Sequence, residues 1–84
     1  MGTVRGREVR FRLYPHDHLP VHAHGKIGAG EVVVEILAAG RARLSLVHGE
    51  SVRGDVKDNE IRKVVREATE LAREIRAEWG AMHK

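Results

Sequence analysis

Hydrophobic and polar residues alternate cleanly from Glu8 to Tyr14, with Val9, Phe11 and Leu13 on one side and Glu8, Arg10, Arg12 and Tyr14 on the other. A period of two over that length predicts a half-buried strand. The same period returns in three more stretches. They are Val21 to Lys26, Glu31 to Leu37 (Val32, Val34 and Ile36 against Glu31, Val33 and Glu35) and Ala42 to His48, with Leu44 and Leu46 inward. The pattern thus predicts strands over 8–14, 21–26, 31–37 and 42–48. Ile27-Gly28-Ala29-Gly30 and Gly40 supply connections, since glycine tolerates turn dihedrals. Connections this short favour antiparallel neighbours and hence a meander.

Beyond Asp55 the period changes. Ile61, Val64, Val65, Ala68, Leu71, Ala72, Ile75, Trp79 and Met82 recur at threes and fours, with charged residues between them. This predicts one long amphipathic helix over 59–82, capped by Asp58 and with Glu60 placing negative charge in its first turn. The polar stretch from His48 to Asp55 leaves room for a short fifth strand around Val52. The fold class is therefore α+β: a four-stranded antiparallel meander with one helix packed on one face. At 1.5 Å per residue, a helix from Asn59 to Trp79 is about 31 Å long, while strands reach only about 20 Å. Its apolar end, at Trp79 and Met82, predicts contact with a second copy, a homodimer. Trp79 on that stripe reads as a core or dimer residue rather than a ligand platform.

Composition adds limits. Eighty-four residues make one domain, 1–84, and 42% hydrophobic with 32% charged residues is a globular balance. The absence of cysteine removes disulfides, thiolate ligands and a cysteine nucleophile, so a cytoplasmic protein is the expectation. No apolar run has the length of a membrane span, and no charged-then-apolar leader opens the chain. The net charge of +3 is unevenly spread. From Asp58 onward six basic residues balance six acidic ones, so the surplus lies wholly in the strand region. Arg5, Arg7, Arg10 and Arg12 against Glu8 make the start its most basic segment, which reads as a phosphate footprint or as an ordinary solvated strand face. Gly25, Gly28 and Gly30 lie between strands with no helix following, unlike a phosphate-binding glycine loop.

Parity concentrates the candidate chemistry. If Val9, Phe11, Val21, Ala23, Val34 and Leu44 lie under the helix, then Arg10, Arg12, Tyr14, His22, His24, Lys26, Glu35 and Arg43 share the opposite, open face. Four of the six histidines fall within His16-Asp17-His18-Leu19-Pro20-Val21-His22-Ala23-His24. Pro20 stops a helix there and favours extended backbone, which puts His22 and His24 on one face about 6.6 Å apart. Three readings follow. In a nucleic-acid-binding protein, Arg10, Arg12, Tyr14, Lys26 and Arg43 form the surface. As a ribonuclease, it would use one of His22 and His24 to take a 2′-hydroxyl proton and the other to protonate the leaving oxygen. In a metal-binding protein, His18, His22 and His24 hold a divalent transition metal such as zinc, with Asp17 as ligand or support, once a tight turn at Pro20 swings His18 back. In an interaction module, the face docks a cognate protein, and the histidines are structural or a pH switch.

Asp17-His18-Leu19-Pro20-Val21-His22-Ala23-His24 resembles the D-H-x-P-x-H-x-H signature of small bacterial proteins grouped as the domain of unknown function 4160 family. Thr3-Val4 at the start, a glycine before the first strand and Trp79 on the C-terminal helix fit the same layout, so the likeness spans most of the chain. The chain departs from it at Val21, where a proline is common, and in the segment before the helix. The family has no settled activity; the resemblance implies a component of a toxin–antitoxin-like pair, with the histidine signature as its site.

Overall fold

The computed structural model describes residues 2–16, 18–45 and 51–83. Among these, the sheet has six strands: β1 (Gly2–Arg5), β2 (Arg10–Leu13), β3 (His22–Ile27), β4 (Gly30–Ile36), β5 (Ala42–Leu44) and β6 (Val52–Arg53). Two helices follow, α1 (Asp58–Glu70) and α2 (Ala72–Met82). The strands run β1-β2-β3-β4-β5 in antiparallel order, and β6 also pairs with β4. β5 lies against Val34–Ile36 and β6 against Glu31 and Val32. Between them the Ser45 N–H donates to the Val33 carbonyl and the Val33 N–H to the Ser51 carbonyl, so that edge of β4 is filled by both.

The antiparallel α+β architecture matches the hydrophobic pattern, with corrections to the strands and to the helix. β1 precedes the first predicted strand: Gly2–Arg5 pairs with β2 from Gly2 opposite Leu13 to Arg5 opposite Arg10. The fourth predicted strand ends at Leu44, and its residues 46–48 lie outside the described residues. The single long helix is two, joined at Leu71, whose φ of −102° and ψ of 14° depart from helical values. The backbone bonds run through the joint, from Leu71 N–H to Glu67 O and from Ile75 N–H to Leu71 O, each at 2.9 Å, so the joint is a kink. Thr69 gives its physical reason. Its hydroxyl donates to the Val65 carbonyl one turn back, a bond that bends helices, and accepts the Ala42 N–H. The start also shifts by one residue: Lys57 occupies the cap, and its N–H donates to the Glu60 carboxylate.

The core lies between helices and sheet. Phe11, Leu13, Ala23, Val32, Val34 and Ile36 from the strands meet Val64, Ala68, Ala72, Ile75 and Trp79 from the helices. α1 passes close over β3 at Gly25, where an added Cβ would stand 2.8 Å from a Val64 methyl. α2 crosses β1 and β2, and Trp79 is 6% exposed within its own chain, with Met82 packed on the same core. Trp79 near the apolar end of the stripe is thus covered by its own chain, while Met82 is half-buried. Among the described residues, no helix is long and apolar enough to cross a membrane.

Candidate functional site

Strand register lays the charged residues of the face away from the helices in rows across the sheet. Arg5 stands opposite Arg10, Arg10 opposite Lys26, Lys26 opposite Glu31, and Glu31 opposite Arg53. Five strands therefore contribute one row of four cations around a single carboxylate. Glu31 is held within it: Lys26 forms an ion pair with one carboxylate oxygen, while His24 Nδ1 at 3.1 Å and Arg53 at 3.6 Å reach the other. Burial alone would raise the pKa of this carboxyl. The hydrogen bonds from Lys26 and then His24, with their charges, outweigh burial and hold it below its ordinary value. Arg10, Arg12, Lys26, Glu31 and Arg53, with the Gly28–Ala29 turn, line a depression of about 630 Å³. Gly28 takes the first central position of that two-residue turn with φ +53°, a dihedral that favours glycine.

One row along, Arg12 stands opposite His24 and His24 opposite Val33; the next row sets His22 opposite Glu35 and Glu35 opposite Arg43. The predicted parity holds here, but this part of the face is closed. His22, Val33, Glu35 and Ser45 are all 2% exposed or less. Arg43 donates to one Glu35 oxygen through Nε and Nη2, each at 3.2 Å, and the Ser45 hydroxyl donates to the other.

Two of the signature's three histidines, His22 and His24, sit in a train of rings. Tyr14 meets His24 edge-on at 5.0 Å, His24 lies 5.6 Å from His22, His22 lies 5.3 Å from Trp79, and Trp79 stacks on His83 at 4.0 Å. The Leu19–Pro20 peptide bond is cis, and the Pro20 carbonyl accepts a bond from His22 Nδ1 at 2.8 Å. Carbonyl and carboxylate oxygens only accept, so both His22 and His24 carry a proton on Nδ1. The Nε2 atoms of both are buried. Neither ring lines the basic depression; His24 reaches it through Glu31.

Of the residues read from the sequence as nucleic-acid-binding, the structure gathers Arg10, Arg12 and Lys26. Arg43 lies two rows away on Glu35, and Tyr14 is half-buried against His24. Of the metal set, His22 and His24 are neighbours, His18 is exposed in the turn, and Asp17 lies outside the described residues. Among the described residues, no group of three histidine or carboxylate side chains is placed to hold a metal ion. Sequence reasoning missed Arg53 and Glu31 as site residues. Arg53 belongs to a two-residue strand too short to show a period, and Glu31 was counted only as a polar strand position. Comparisons with protein-family models, with curated proteins and with solved structures give no match.

Proposed function

We propose that this protein binds nucleic acid through its phosphates, on the cation row around Glu31. The observation that supports this reading is the row itself: Arg10, Lys26 and Arg53 converge on one depression, and Glu31, the one carboxylate among its described lining residues, is already partnered by Lys26, Arg53 and His24. The depression therefore offers an excess of positive charge to an anion, the footprint of a sequence-independent phosphate contact. Binding rather than cleavage is the activity proposed. Proton transfer to a bound strand requires a ring nitrogen within reach of it, and His22 and His24 hold their Nε2 atoms buried. A place in a toxin–antitoxin-like pair, with a cognate protein, remains the expectation that the resemblance carries.

Fluorescence anisotropy with a labelled single-stranded RNA tests the reading. Wild type should bind in low salt, and Lys26→Ala and Arg53→Ala should each weaken binding and flatten the log–log salt dependence by roughly one unit per lost contact. The RNA should be recovered intact. Absence of binding even in low salt would refute the proposal.

A further inference from the structure

The larger depression does not stand alone. A second one, of about 240 Å³, is formed by Arg5, Gly6, Arg7, Glu8, Val9 and Arg10 where β1 turns into β2, and Arg10 borders both. We infer that the two depressions form one tract, so that the ligand is an oligonucleotide lying across the strands rather than a single nucleotide or free phosphate. This rests on the nucleic-acid reading above and extends it to the β1 edge of the sheet.

Charge pairing carries the inference. The two carboxylates along the tract are both occupied: Glu31 by Lys26, His24 and Arg53, and Glu8 by Lys63 of α1 at 3.1 Å. Arg7 is turned to Glu70 of α1 at 2.8 Å. Among the described residues, Arg5 and Arg10 form no ion pair, although they stand directly opposite each other, with Lys26 next in the row. Like charges directly opposite on neighbouring strands destabilise a sheet. A chain of phosphates laid over Arg5, Arg10 and Lys26 converts that repulsion into attraction, and a single phosphate in the larger depression leaves Arg5 uncompensated. Strand spacing fixes the reach: from β1 to β6 the row crosses four gaps of roughly 4.8 Å, about 19 Å in all. At 3.4 Å per stacked nucleotide of one strand, that is about five to six nucleotides, fewer where the strand is extended.

The test is a length series with the intact chain: uridine monophosphate, hexauridylate and a longer oligouridylate, measured in low salt for wild type, Arg5→Ala and Arg53→Ala. The tract predicts that affinity rises steeply from monomer to hexamer and little beyond. Arg5→Ala should weaken the hexamer about fivefold while leaving the mononucleotide unchanged, and Arg53→Ala should weaken both. Arg5 is exposed, so an unchanged circular dichroism spectrum is expected for Arg5→Ala. If wild type binds RNA but the hexamer gains nothing over the monomer, or Arg5→Ala leaves the hexamer untouched, the tract is overturned and the binding site around Glu31 stands. A hexaglutamate peptide competing as well as hexauridylate would overturn it too, in favour of acidic protein segments. If no RNA binds, the underlying reading fails and the tract with it.

Discussion

Glu67 is enclosed on α1, 1% exposed, and its carboxylate accepts the backbone N–H groups of Glu8 and Val9 at 3.2 to 3.3 Å. It fastens the turn between β1 and β2, and with it Arg5 and Arg10, to the helix layer. In the sequence Glu67 looks like any charged position beside an apolar stripe, because its backbone partners lie about sixty residues away and leave no local trace. Glu67→Gln keeps the shape but turns an N–H pair toward donors. Chemical denaturation should show a loss of about 1–3 kcal/mol, the cost of leaving buried donors unsatisfied. Gly25 was legible only as a glycine near a turn; its role is the close approach of α1. Gly25→Ala should cost about 1–3 kcal/mol by overpacking against Val64, read in the same experiment. Glu31 adds a pH dependence whose sign follows from its depressed pKa. The native state favours the ionised form, so this stabilisation is present above the ordinary value near 4.5 and is lost as pH falls below it. The stability difference between wild type and Glu31→Gln should therefore shrink between neutral pH and about pH 3.5; a difference constant across that window would refute the linkage.

At the scale of elements, alternation told which strand residues face the helices, since register preserves parity across every pairing from Phe11 through Gly25 to Val32. It could not tell how much of the other face meets solvent, which depends on Arg43 and Ser45 closing over Glu35. β1 has only four residues and begins with a glycine, too short for alternation to register, and its pairing is visible only once β2 lies beside it. The kink at Leu71 escaped because the apolar stripe continues through it unchanged. The hydroxyl of Thr69, which bends the helix and accepts the Ala42 N–H, belongs to the contact between α1 and β5. Thr69→Ala exchanges that hydroxyl for higher helix propensity, so global stability should move by about 0.5 kcal/mol or less. Hydrogen exchange at the Ala42 amide should nevertheless accelerate, because its acceptor is gone. Unchanged protection at Ala42 would show that this contact does not hold β5.

For the whole molecule, the excess charge read from the sequence before the helical segment gains a position: one end of one sheet face, where Arg5, Arg10 and Lys26 stand side by side. The helices contribute Lys63 and Glu70 to neutralise Glu8 and Arg7 and leave Arg5 and Arg10 exposed. A row arranged for folding would alternate its signs, so binding and stability should respond in opposite directions to its removal. Two unit charges about 5 Å apart in water repel by roughly 0.8 kcal/mol, and solvent screening and splayed side chains reduce this to a few tenths. Arg10→Thr removes the residue shared by both depressions and places a good strand former in β2. The free protein should become more stable by a few tenths of a kcal/mol up to about 1 kcal/mol. Added salt should stabilise wild type more than the variant, since the Debye length falls to about 8 Å at physiological ionic strength. RNA affinity should fall in the same variant. A destabilised Arg10→Thr protein would make Arg10 a structural residue of the sheet, and an unchanged RNA affinity would remove it from the tract.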